Sequence, residues 1–311
     1  MLWQMLSDAF RGPFAARQAH ARASARQPSV RQGILALQQA TPSIVADEGD
    51  DSPIFLLSAG WRSGSTMLQR LLMSDPGVLI WGEPYDECGL VQALAGTARA
   101  FRQGWPPKDY FYDGRPTGEL TGEWIANLFP ALEDWRRGQR ALFDTMFAEP
   151  ARRAGAARWG IKEVRLTTEH AAYLRWLYPN AKFLLLYRDP LEAYRSYCSF
   201  GRGWYDVFPD RPMLTPAAFG KHWRLLMEGF LRDAEALGAM LVKYEDLAAG
   251  SLALARIDSH MGIATDHAVL RRKVRGVEGT AARQSARVNR LERWLLAREV
   301  QPLARRLGYA C

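Results

Sequence analysis

Two segments of this 311-residue chain combine residue types that bind phosphate. In the first, the apolar run Ile54 to Ser58 leads into Ala59, Gly60, Trp61, Arg62, Ser63, Gly64, Ser65 and Thr66, and then into MLQRLLMS. That is the order strand, glycine loop, helix. Glycines let the backbone approach an anion closely, and the unpaired amides at a helix start point towards it. Arg62 adds charge, and Ser65 and Thr66 add hydroxyl donors. The loop is one residue shorter than the nucleotide-triphosphate loop GxxxxGK[ST] and lacks its lysine, because Gly64 stands directly before Ser65.

The second segment is KFLLLY followed by Arg188, Asp189, Pro190 and the helical run LEAYRSYCSF. Asp189 suits a helix N-cap and Pro190 the first helical position. Ser196 then falls about two turns in, on the same face as the cap. An arginine at the strand end and a hydroxyl eight positions later can converge on one phosphate. Asp189 could instead bind Mg²⁺ as the strand-end acid of a kinase or ATPase, a reading weakened by the missing loop lysine.

These segments need a scaffold that brings strand ends together. After Pro53 the pattern alternates short apolar strands with longer helical stretches, with strands expected at Ile54 to Ser58, Val78 to Trp81, Trp159 to Glu163, Ala181 to Tyr187 and Ala239 to Lys243. Strands separated by helices predict an α/β, P-loop-NTPase-like fold with a central parallel sheet flanked by helices. The nearly continuous apolar run KFLLLY predicts the central strand. Gly104 to Gly122 and Gly201 to Pro216 are rich in Pro, Gly and aromatics and read as long surface loops of the kind that shape a cleft.

With Arg62 ahead of the glycine, GWRSGSTMLQRLL resembles the 5′-phosphosulfate loop of sulfotransferases that use 3′-phosphoadenosine-5′-phosphosulfate (PAPS), in the RSGS form of the carbohydrate and tyrosylprotein enzymes. KFLLLYRDPLEAYRS resembles the same family's 3′-phosphate motif. The resemblance covers roughly Pro53 to Tyr309 and includes the closing LGY. It implies that Arg62, Ser63, Gly64, Ser65, Thr66, Arg188 and Ser196 hold PAPS, with 3′,5′-ADP as product. Sulfuryl transfer also needs a base for the acceptor hydroxyl and cations near the leaving oxygen. The resemblance implies Glu83, in LIWGEPYDE, as the base, with Asp86 and Glu87 as competitors. It implies Lys162 and Arg165, in WGIKEVRL, as cations beside the transferred group; ion pairing with Glu163 or Glu169 is the alternative. The histidine base of cytosolic sulfotransferases has no counterpart, so His20, His170, His222, His260 and His267 are read as structural or solvated. No metal is required.

The formal charge of +8 favours anionic partners. Arg271, Arg272, Lys273, Arg275, Arg283, Arg287 and Arg290 lie where family members fold a loop over the nucleotide. No nucleic-acid motif accompanies them, so nucleic acid is not expected as a partner. Residues 1–52 read as a basic N-terminal extension, helical or flexible, ahead of a sulfotransferase domain at 53–311. Met1 to Phe14 has the spacing of an amphipathic helix suited to self-association or to peripheral membrane contact. Cys88, Cys198 and Cys311 form neither a disulfide framework nor a metal site, and no secretory signal or membrane span is evident, which places the protein in the cytoplasm. The expected reaction is sulfation of a hydroxyl on a carbohydrate or glycolipid. The alternatives are a tyrosylprotein or small-molecule acceptor, a P-loop kinase, or a non-catalytic nucleotide-binding module. Tyr244, Glu245 and Asp246, in VKYEDL, are expected to serve as scaffold.

Overall fold

A computed structural model describes residues 27–40, 52–85, 88–122, 124–199, 213–271 and 286–310. Five strands, β1 (Ile54–Ser58), β2 (Val78–Trp81), β3 (Arg158–Glu163), β4 (Lys182–Tyr187) and β5 (Ala239–Lys243), form one sheet in the order β2-β3-β1-β4-β5. Every neighbouring pair is parallel. The strands fall within one residue of the expected bounds. The middle one is β1 rather than KFLLLY, which is interior with β1 and β5 on its flanks. Both sequences are continuous apolar runs, and β1 is the one buried along its whole length.

The period-two alternation of β1 divides the core into two layers. Phe55 and Leu57 face one hydrophobic cluster with Phe183 and Leu185, while Ile54 and Leu56 face the other with Leu184 and Leu186. Over the second face lie α2 (Ser65–Leu72), α9 (Tyr244–Ala249) and α10 (Ser251–Met261), through Leu68, Leu71, Leu247, Leu254 and Ile257. Over the first lie α1 (Val30–Ala40), α3 (Leu90–Thr97), α4 (Leu132–Phe143), α6 (Thr168–Leu177), α7 (Pro190–Cys198), α8 (Pro216–Asp233) and α11 (Arg290–Arg306). A short helix, α5 (Glu149–Arg153), links α4 to β3.

The described part of the N-terminal extension is not separate from this core. Val30, Ile34 and Leu37 of α1 are buried in the first cluster, and Arg31 pairs with the buried Asp233 at 2.9 Å. The amphipathic pattern at Met1 to Phe14 lies outside the described residues, as do most of the loop Gly201 to Pro216 and Cys311. Among the described residues no helix is long and apolar enough to cross a membrane.

Candidate active site

All five strands being parallel, their carboxyl ends share one edge of the sheet. From β1 the chain moves through α2 towards β2, and from β4 it moves through α7 and α8 towards β5 on the other side. The crevice between β1 and β4 is therefore the topological switch point, where open α/β sheets bind ligands. The loop with Arg62 leaves β1 and Arg188 leaves β4, so both expected phosphate motifs open on that crevice.

The two motifs touch. Arg62 Nε donates to Ser196 Oγ at 3.1 Å, and Arg188 Nη1 donates to the Arg62 carbonyl at 3.1 Å. Arg62 holds φ at +63°, a left-handed conformation uncommon for a non-glycine residue. Ser63 is buried, and its hydroxyl donates to the Gly60 carbonyl at 2.9 Å, which tightens the loop. Gly64 is the N-cap of α2 at φ +91°, so no side chain caps the first-turn amides. Ser65 is buried at the helix start and Thr66 is exposed.

Asp189 is the N-cap of α7, its carboxylate accepting from Leu191 N at 2.7 Å and Glu192 N at 3.1 Å. Burial, with Glu192 and Glu245 nearby, raises its pKa despite those two amides. This is the capping role read from the sequence. Pro190 follows at the first helical position.

The third group stands on the neighbouring strands. Glu83 lies two residues beyond β2, and its Oε1 is 2.5 Å from Nζ of Lys162, a buried β3 side chain. Pro84 and Tyr85 are in a turn, and α3 begins at Leu90. Arg165 is drawn into the core instead: its Nη2 lies 2.7 Å from Glu163, which also accepts from the backbone amides of Val164 and Arg165. Asp86 and Glu87 lie outside the described residues.

Sequence reasoning undervalued the segment after β5. The Arg188 guanidinium stands over the Tyr244 ring at 4.3 Å. A Cβ on Gly64 would overlap the same ring, so Tyr244 spans both motifs. Glu245 Oε1 accepts from the Asp189 amide at 3.0 Å, and its Oε2 accepts from the Tyr309 hydroxyl at 2.9 Å. Burial and the Glu245 charge push the Tyr309 phenol well above its ordinary range. The signal was available in VKYEDL, because β5 must end on the same edge as β4. His222 is buried with its ring 5.3 Å from Trp61, and Trp223 Nε1 donates to the Arg188 carbonyl at 3.1 Å. Of the C-terminal basic residues, Arg271, Arg287 and Arg290 are described and exposed, while 272–285 lie outside the described residues.

The sequence model of the sulfotransferase family matches residues 53–267, a span that holds every residue of this cluster except Tyr309. The chain belongs to the sulfotransferase family. As a sulfotransferase it keeps its cationic loop, its strand-end arginine and the Glu83–Lys162 pair on one edge of a parallel sheet. Solved structures similar to it include the sulfotransferase domain of the Synechococcus PCC 7002 olefin synthase, at 18% identity and TM-score 0.46, covering 85% of this chain and 98% of that one. The sulfotransferase domain of the curacin biosynthetic pathway is 15% identical, with TM-score 0.48 and coverage of 84% and 98%. A mouse sulfotransferase complexed with PAP is 14% identical, with TM-score 0.34 and coverage of 88% and 71%. No curated protein matches the chain in sequence.

Proposed function

We propose that this sulfotransferase moves a sulfuryl group from PAPS to a hydroxyl of a carbohydrate or glycolipid. The observation that carries the donor assignment is the pairing of Arg62 with Ser196 and of Arg188 with the Arg62 carbonyl at the β1/β4 crevice. Two arginines, a hydroxyl and a helix N-terminus capped only by glycine form a donor set suited to an anion phosphorylated at two positions. Arg62, Ser63, Gly64, Ser65 and Thr66 would hold the 5′-phosphosulfate end, and Arg188 with Ser196 the 3′-phosphate. When bound, PAPS supplies an activated sulfuryl group and leaves as 3′,5′-ADP.

Glu83 takes the acceptor proton on its carboxylate. Lys162 Nζ fixes the orientation of that carboxylate and adds positive charge where negative charge develops. Arg62 offers its guanidinium to the leaving oxygen. Arg165, held by Glu163, acts through the β3 strand end and keeps that end in place. The acceptor class rests on the glutamate before proline at the end of β2. The free cysteines Cys88 and Cys198 are compatible with the cytoplasm. Incubation with isotopically labelled PAPS and a lysate of the source cell, followed by mass identification of products, tests the reading. Labelled glycans or glycolipids support it, labelled tyrosines would reassign the acceptor, and absence of any labelled product contradicts it.

A further inference from the structure

A second cavity lies away from the strand ends described above. Helix α6 starts after β3 and runs back to the start of β4, so its last turn, with Trp176, stands at the amino edge of the sheet. Trp135 packs on Trp176 with ring centroids 5.4 Å apart, and Phe101 packs on Trp135 at 5.1 Å. Against these rings the segment after α3 folds over, joined by a bridge between Phe111 and Phe129. The result is a cleft of about 540 Å³ lined by Phe101, Trp105, Phe111, Phe129, Leu132 and Trp135. That volume lies within the roughly 300–1,000 Å³ of small-molecule sites, which are mostly apolar with few polar groups.

Charge is distributed unevenly around it. Among the described residues lining it the one carboxylate, Asp134, is already bonded to Arg137. An adjoining cavity of about 210 Å³ shares Phe101, Trp105, Phe111 and Leu132 with the cleft and adds Arg102 and Lys108. Among the described residues lining that cavity none is acidic. Both cations are exposed, and the Arg102 guanidinium stands 6.0 Å over the Trp105 ring, at the junction of the two spaces.

We infer that this amino-edge cleft binds a dissolved single-chain alkyl anion, with its chain among the aromatic rings and its acidic head between Arg102 and Lys108. An aliphatic chain gains from burial against the rings, and the two cations select a negative head over a neutral one. The lining shares no residue with the donor crevice.

Calorimetric titration with dodecanoate below its micellar concentration, beside dodecanol, tests this on the full chain. The expected result is saturable binding of one dodecanoate, with dodecanol weaker. Arg102→Glu with Lys108→Glu, both on exposed side chains, should weaken dodecanoate by about tenfold or more and leave dodecanol unchanged. Trp105→Ala should weaken both ligands, and an unchanged melting temperature would show that the fold is intact. Absence of dodecanoate binding overturns the inference, as does equal affinity for the two ligands in both the wild type and the charge variant. Binding to phosphatidylglycerol vesicles with none to dissolved dodecanoate would make the face a bilayer contact and would also overturn it.

Discussion

Arg62 donates from Nε to Ser196 Oγ at 3.1 Å across 134 residues of chain, which joins the loop after β1 to the helix after β4. The Arg188 bond to the Arg62 carbonyl runs the other way across the same crevice. The two anion-binding motifs therefore share one hydrogen-bonded framework, and substitutions in one motif are expected to be felt in the other.

Gly64 makes that framework possible. At φ +91°, with the Tyr244 ring occupying the place where a Cβ would stand, Gly64→Ala is both strained and crowded. A loss of about 1–3 kcal/mol of stability is expected, together with weaker 3′,5′-ADP binding. Gly64→Ala combined with Tyr244→Ala removes the crowding but not the unfavourable φ, so part of the stability should return. Thermal unfolding of wild type and of these two variants checks this. An unaltered melting temperature in Gly64→Ala would contradict the contact.

Glu83→Gln keeps the side-chain shape and removes the proton acceptor. Turnover should fall by about 10²–10⁴-fold, while 3′,5′-ADP affinity stays within a few-fold of wild type. Lys162→Met should lower turnover as well, because it leaves the Glu83 carboxylate unpaired at the strand end. Single-turnover kinetics and nucleotide titration separate the two effects. Near-normal turnover in Glu83→Gln would remove Glu83 as the base.

Asp233 ties α1 to the core, and its titration should be visible in stability. Burial alone would raise its pKa, but Arg232, Thr168 and Arg31 hold the carboxyl well below its ordinary range. A depressed folded pKa adds stability that is fully present above the unfolded value of ~3.9 and is lost as pH falls towards the folded value. Asp233→Asn should therefore cost about 1–3 kcal/mol at neutral pH, and the gap from wild type should narrow below pH ~4. Melting temperatures of both proteins between pH 7 and pH 3 check the sign. A gap that stays constant down to pH 3 would contradict it.

The strands were legible because a parallel sheet covered on both faces requires short apolar runs, and IFLLS, VLIW and KFLLLY stand out from the polar helices between them. The capping role of Asp189 was legible because Asp-Pro carries its geometry locally. Which apolar strand takes the middle was not, since IFLLS and KFLLLY have the same pattern and only the crossovers order them. Nor was the division of labour in WGIKEVRL. Alternation along β3 sends Lys162 and Glu163 to opposite faces, so Lys162 meets Glu83 while Glu163 turns back to Arg165. The position of Tyr244 against Gly64 depends on β5 lying beside β4, a long-range fact that no local spacing carries.

The donor assignment depends most on what Arg188 recognises. Its contact with the Arg62 carbonyl should affect donors with and without a 3′-phosphate alike, so the ratio of their affinities isolates the 3′-phosphate. The decisive measurement is the binding of PAPS and of adenosine 5′-phosphosulfate, which lacks that phosphate, to wild type and to Arg188→Ala. The account predicts that Arg188→Ala weakens PAPS by about 10–100-fold more than it weakens adenosine phosphosulfate. Equal losses for the two donors would contradict it.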